Sequence, residues 1–255
     1  LTSPLKVWIE RDGHLLRLRL DRPKANIIDA KMIAALDDAL ARHTENTGLI
    51  AILLDAEGPH FSFGASVEEH LPEQCARMLK SFHGLIERMV KYPVPILVAI
   101  NGQCLGGGLE IALAGHLLFA AREASLGQPE IKIGVFAPAA SCLLPERIGQ
   151  ALAEDLLFSG RSISGMQAAA IGLINETAAD PEAAALAWFD THLADKSAST
   201  LRCAVKAARA GFAKRISAKL ATVERLYMDE LMATGDATEG LTAFLAKRPA
   251  KWEHR

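Results

Sequence analysis

Apolar and polar positions along the chain follow two rhythms. Val7 to Glu10 and Leu15 to Leu20 alternate on either side of Asp12-Gly13, which predicts a hairpin. Asp29 can cap a helix whose apolar residues Met32, Ile33, Leu36 and Leu40 recur at helical spacing. Leu49 to Leu54 is a continuous apolar run and reads as a buried strand. Helical spacing returns between Glu73 and Lys91, through Cys75, Met78, Leu79, Phe82, Ile86 and Met89. Pro93 and Pro95 then introduce a second buried strand, Ile96 to Ile100. Strands alternating with helices predict an α/β architecture with largely parallel strands covered on both faces.

The middle third carries a Gly-rich turn, Leu105-Gly106-Gly107-Gly108-Leu109-Glu110, opening an apolar helix. A short strand at Leu117 to Ala120 follows, then Leu126-Gly127-Gln128-Pro129-Glu130. After residue 145 the pattern turns mostly helical. From Lys196 onward it predicts three amphipathic helices and no strand, with a boundary near residues 194–196. No short repeat and no low-complexity segment is present.

Composition narrows the classes. Half of the 255 residues are apolar and 23% are charged, enough to bury a sizeable core and wet its surface. No stretch reaches the ~18 consecutive apolar residues of a membrane span. Leu1-Thr2-Ser3-Pro4-Leu5-Lys6 lacks the basic start and apolar run of a signal peptide, though a trimmed export signal stays open. With 28 basic and 30 acidic residues and few aromatics, the chain lacks the basic excess and stacking side chains of a nucleic-acid binder. Cys75, Cys104, Cys142 and Cys203 are widely separated, without zinc spacing or a disulfide framework. They read as structural thiols in a reduced, cytoplasmic setting.

Several motifs fail. Gly102 to Gly108 lacks the Lys-Ser/Thr of a P-loop and does not fit Gly-x-Gly-x-x-Gly; Gly64-Ala65-Ser66-Val67-Glu68 breaks the nucleophile-elbow pattern at its last position. The eight histidines show no metal-ligand spacing, so no metal is expected. What remains is a Gly-rich turn at a helix start, whose amides have no internal partner and suit an anion or a developing oxyanion. Glu110 lies about one helical turn beyond Gly107. Glu130 follows twenty residues later, behind Gly and Pro that aim it. Phe61-Ser62-Phe63-Gly64-Ala65 follows the first buried strand, where α/β folds place ligands. Taken alone, the Glu110 and Glu130 segments read slightly better as turns with a solvated Glu. Together, two backbone donors and two carboxylates could stabilise an enolate and move protons.

In this order and spacing the segments resemble the crotonase (enoyl-CoA hydratase/isomerase) superfamily, over essentially the whole chain. Leu20-Asp21-Arg22-Pro23-Lys24-Ala25-Asn26 is similar to its early coenzyme A loop. Phe63-Gly64-Ala65 and Asn101 through Glu110 match its two oxyanion-hole segments. Gly127 to Glu130 matches its second acidic segment, and Glu239-Gly240 through Lys247-Arg248-Pro249 its C-terminal signature. The resemblance implies a crotonase (ClpP-like) spiral of repeated ββα units over residues 1–195. It also implies a C-terminal helical region, 196–255, for trimerisation and cover of the coenzyme A.

Roles follow from the same resemblance. The amides of Ala65 and Gly107 would hold a thioester oxygen, and Glu110 and Glu130 would handle water and proton, favouring hydration. Coenzyme A would contact Lys24, Ala25, Phe63, Gly64, Ala65, Gly106, Gly107, Phe244 and Lys247, with both lysines toward phosphate and Phe244 over adenine. Val67, Phe136, Ala137 and Pro138 would line the acyl pocket. The implied enzyme is a hydro-lyase acting on a conjugated acyl-CoA thioester, without a cofactor of its own. It would assemble as a trimer or a dimer of trimers, with no nucleic-acid or membrane partner. Apolar positions on the last helices, including Leu226, Leu231, Leu241 and Leu245, would supply surface for that assembly.

The departures are informative. Ordinary hydratases carry Ala-Asp-Ile-Lys where this chain has Ala65-Ser66-Val67-Glu68. Their Pro-Gly-Ala-Gly-Gly-Thr loop is replaced by a segment without those glycines, within Gly134 to Cys142. Both changes resemble family members that hydrate a cyclic dienoyl-CoA in anaerobic aromatic breakdown. An aliphatic enoyl-CoA hydratase or isomerase is the alternative, and a non-catalytic crotonase-like binding protein a more distant one, against which both glutamates argue.

Overall fold

The computed structural model describes residues 3–255; residues 1–2 of the expected core lie outside the described part. β1 (Leu5–Glu10) and β2 (Leu15–Leu20) form the expected antiparallel hairpin. α1 (Ala30–His43) starts at Asp29, whose side chain accepts the Met32 N–H as predicted. β3 (Ala51–Ala56), α2 (Pro72–Val90) and β4 (Ile96–Ile100) follow within about two residues of their expected spans. Then come β5 (Gln103–Leu105), α3 (Gly107–Ala114), β6 (Leu117–Ala121) and β7 (Ser125–Gly127). The rest of the chain is α4 (Pro138–Ile148), α5 (Gln150–Ser159), β8 (Ser162–Ser164), α6 (Gly165–Ala170), β9 (Glu176–Ala178), α7 (Pro181–His192), α8 (Ala198–Arg225) and α9 (Gly235–Leu245).

The main sheet has the order β1-β2-β3-β4-β6-β9, parallel throughout apart from the β1–β2 hairpin. Its strands read as unbroken apolar runs because both faces are buried. Leu16, Leu18, Ile52, Leu54, Val98 and Leu118 enter the main core with α1 and α2. Their alternates Leu15, Leu53, Leu97 and Phe119 pack with Phe189 of α7. A smaller sheet, β5-β7-β8, lies beside the carboxyl ends of β3 and β4 and carries the turn into α3.

The region after residue 145 is mostly helical, as expected, and β8 and β9 each add three residues to a sheet. Such strands are too short to carry a pattern of their own, and neighbouring strands hold them. The C-terminal region has two long helices rather than three, joined by a π-helical turn, Leu226–Glu230, and a 3-10 turn, Leu231–Ala233. Cys203 is exposed, whereas the other three thiols are buried. Leu241 is fully buried within its own chain, while Leu226 is exposed.

α9 and the tail beyond it pack on the segment leading from Glu130. Asp236 accepts the Glu253 and His254 amides at 2.7 and 2.8 Å, and Gly235 N donates to Arg255 O. The Trp252 ring then lies over Gly134, where an added Cβ would sit 3.1 Å from Cζ3.

Candidate active site

The site sits at the carboxyl ends of β3 and β4. Backbone bonds stitch its first loop in place: Phe63 N donates to Ala25 O, Ile28 N to Gly64 O, and Leu105 N to Ser62 O. Ser62 Oγ accepts the Gly64 amide at 3.0 Å and donates to Asn26 O at 2.8 Å. These bonds leave the Ala65 amide without a backbone acceptor among the described residues, and the Gly107 amide, first in α3, is equally free. A Cβ built on Gly107 would lie 3.1 Å from Ala65 N, so the two donors are neighbours. Gly106, at φ 50 and ψ −129, makes the turn that brings them together.

The other end of α3 is also fixed. Arg147 donates to Leu113 O and Gly115 O, and Arg209 to Ala114 O and Gly115 O. Two cations at the carboxyl end complement the helix dipole. Burial lowers both guanidiniums, Arg147 to about 10 and Arg209 to about 9, and both stay charged at neutral pH.

Glu110 is buried, with 4% of its surface exposed. Its Oε1 accepts the Ala140 N–H at 2.8 Å, so it serves the amino end of α4 in place of Ala137, which has no capping side chain. Glu130 lies in the 3-10 turn Pro129–Ile133, close enough to Gly106 that an added Cβ there would meet Oε1 at 2.6 Å. With its amide turned so that the nitrogen faces Glu130, Gln128 donates to both Glu130 oxygens at 3.1 Å. Burial pushes the Glu110 carboxyl up to about 7, against the pull of the Ala140 and Ala139 amides. Burial raises Glu130 well above the usual carboxylate range, and the neighbouring Glu110 charge raises it further. Both shifts favour a state in which the pair retains a proton.

This has a consequence for stability. The Glu110 carboxyl titrates near 7 in the folded chain and near 4.5 as an ordinary glutamate. Between those values the folded chain binds the extra proton, so the stabilisation is complete below about 4.5 and is lost as pH rises through about 7. The thermal midpoint is expected to fall from about pH 5.5 to about pH 8, and Glu110→Gln to flatten that slope. Equal slopes in calorimetry of the two proteins would contradict this.

One cavity of about 410 Å³ gathers these groups. Its lining includes Phe63, Gly64, Ala65, Gly106, Gly107, Glu110, Glu130 and Phe244, together with the expected acyl-pocket residues Val67, Phe136, Ala137 and Pro138. Lys24, Ala25 and Lys247 do not line it; both lysines are exposed, and Ala25 supports the first loop through its carbonyl. Sequence reasoning missed His70 and Gln128. His70 lines the cavity, and its Nδ1 donates to Ser66 O at 2.7 Å. Because a carbonyl can only accept, the proton sits on Nδ1; burial lowers the ring's pKa and keeps it neutral. Gln128 stands inside the quoted acidic segment, two residues from Glu130, and that spacing was its only signal. Among the described residues no group of three or more His, Cys, Asp or Glu could hold a metal ion, and no helix is long and apolar enough to cross a membrane.

A family model described as enoyl-CoA hydratase/isomerase matches residues 10–255. The chain is 68% identical over 254 residues to cyclohexa-1,5-dienecarbonyl-CoA hydratase of Thauera aromatica, covering 100% of this chain and 98% of that protein. It is 32% identical to a probable enoyl-CoA hydratase of Bacillus subtilis, covering 95% and 96%. Among solved structures, an enoyl-CoA hydratase/isomerase from Pseudoalteromonas atlantica superposes with a TM-score of 0.84 at 27% identity, covering 98% of this chain and 99% of that one. A putative enoyl-CoA hydratase from Mycobacterium avium paratuberculosis shares the fold, with a TM-score of 0.87 at 22% identity and coverage of 98% and 99%.

Proposed function

Because the chain belongs to the enoyl-CoA hydratase/isomerase family, we propose that it adds water to cyclohexa-1,5-diene-1-carbonyl-CoA, giving 6-hydroxycyclohex-1-ene-1-carbonyl-CoA. The observation that carries the substrate is the full-length 68% identity to the Thauera aromatica hydratase.

In this reading the Ala65 and Gly107 amides receive the thioester oxygen. Ionised Glu110 takes a proton from water as the water oxygen bonds to the β-carbon. The β-carbon's π electrons move toward the thioester, and its oxygen becomes that of a dienolate between the two amides. Protonated Glu130 then donates to the far end of the dienolate, leaving one ring double bond conjugated with the carbonyl. One water has been added, and return of the proton from Glu110 to Glu130 resets the pair. Burial raises both carboxyls and the Glu110 charge raises Glu130 further, which supports Glu130 as the proton donor. Donors fixed in a dry site stabilise charge that develops only in the transition state, which is where such sites gain most.

The polar half of the ligand belongs to the same proposal. Lys24, Ala25 and Lys247 serve the coenzyme A outside the acyl cavity, and exposed Phe244 at the cavity mouth covers adenine. Residues 1–195 form the catalytic core and 196–255 the assembly region of a trimer or dimer of trimers in the cytoplasm, with no resident cofactor. Lys247→Ala is expected to raise KM about five-fold and leave kcat unchanged, the worth of about 1 kcal/mol of phosphate contact. Steady-state kinetics at two salt concentrations checks this.

The decisive experiment offers cyclohexa-1,5-diene-1-carbonyl-CoA and crotonyl-CoA side by side and reads the mass gain of one water. Preference for the cyclic thioester is expected. Preference for crotonyl-CoA would return the chain to aliphatic hydration, and modification of neither would remove the hydratase reading.

A further inference from the structure

The chain has two tyrosines, and the fold treats them differently. Tyr92 is buried with its hydroxyl donating to Leu40 O at 3.0 Å. Tyr227 is 0% exposed, and its hydroxyl has no partner among the described residues. Phenylalanine would fill nearly the same volume without a polar atom to satisfy, so the hydroxyl calls for a reason.

Its surroundings supply one. Tyr227 sits in the π-helical turn Leu226–Glu230, and π turns inside helices concentrate at functional sites. Its ring meets Phe136 edge-on, with centroids 5.1 Å apart at 63°, and Phe136 is a wall of the acyl cavity. The titratable groups that act on the hydroxyl are Cys75 from α2, Glu130 from its 3-10 turn and Glu110 from α3. All three, after burial, raise its pKa, so it stays protonated and able to donate; no basic side chain is among them. Asp229 and Glu230, on its own turn, are exposed.

We propose that Tyr227 is a positioning residue for the acid pair: through one bridging water, its hydroxyl donates a hydrogen bond to whichever of Glu110 and Glu130 is ionised. A hydroxyl has one proton to give. It therefore favours the state in which one carboxylate is charged and the other still carries a proton, which is the state that the hydration described above requires. The role in turnover rests on that functional reading, whereas the contact with the pair does not. Phe136 joins the two arguments, since it belongs both to the remodelled acyl wall and to the packing of Tyr227.

The test begins with the unmodified protein labelled with 13C at tyrosine Cζ. The Tyr227 resonance is expected to shift through the pH midpoint at which the glutamate pair titrates, followed in parallel with 13C-labelled glutamate carboxyls. Tyr92 serves as the silent reference. A Tyr227 signal that stays flat across that midpoint overturns the proposal. Tyr227→Phe is then expected to move the pair's titration upward by about one pH unit, because a donor to a charged group has been removed. In turnover of the cyclic thioester, kcat should fall about ten-fold with KM unchanged, and the acid limb should move up with the titration. An unmoved titration with a higher melting temperature would mean that the hydroxyl is an unsatisfied core group, and would also overturn the proposal. If the unmodified protein turns over no acyl-CoA at all, the functional reading fails while the two titrations still decide the contact.

Discussion

Glu130→Gln is expected to lower kcat for the cyclic dienoyl-CoA by about 10²–10⁴-fold, the usual worth of a general acid, with KM changed by less than about three-fold. The amide keeps the shape of the acid and cannot deliver its proton. Burial and the Glu110 charge both favour keeping that proton on Glu130, and the amide has none to give. Glu110→Gln should fall by a similar factor for the opposite reason, since its neutral amide cannot take a proton from water. Its Oε1 can still accept the Ala140 amide, so α4 should remain capped. Stopped-flow turnover of both variants, with calorimetry to show that they are folded, checks this. Normal turnover of Glu130→Gln would remove the acid assignment.

The second large effect is expected from Gly106→Ala, which should lose about 10²–10³-fold in kcat/KM, as much as the loss of an oxyanion donor. Two causes act together. The backbone at φ 50 and ψ −129 suits glycine, and a side chain there costs about 1–3 kcal/mol. The new methyl would also meet Glu130 Oε1 at 2.6 Å and push the acid away. Gly149→Ala separates the two causes. Gly149 also has positive φ, at 78, but an added Cβ meets nothing within 4 Å. That variant should lose melting temperature and keep its activity. If Gly106→Ala and Gly149→Ala lose stability alike and both remain active, the close approach of Gly106 to Glu130 has no bearing on catalysis.

Much of the frame is legible in the sequence because long elements repeat their signal. The apolar run in β4 and the four apolar positions at helical spacing inside α1 each make the same statement several times. Glu110 could be placed because a glycine turn before a helix fixes both a direction and a phase. The three-residue strands β8 and β9 were not legible, since their pairing partners, not their own patterns, define them. His70 and Tyr227 escaped for a different reason. Each is one polar group whose meaning depends on what the fold brings to it: a carbonyl four residues back for His70, and Phe136 from a distant segment for Tyr227. Lys24 and Lys247 show the opposite case, chosen by resemblance and found outside the cavity lining.

The last residues bear on how the protein is handled at the bench. Asp236 grips two amides near Arg255, and Trp252 roofs Gly134, four positions beyond Glu130. Loss of residues 252–255 would leave the sheets and both cores whole and would loosen the roof over the acid's own segment. Clipped material would melt and elute like intact protein yet turn over poorly, so an intact-mass spectrum belongs beside every specific activity.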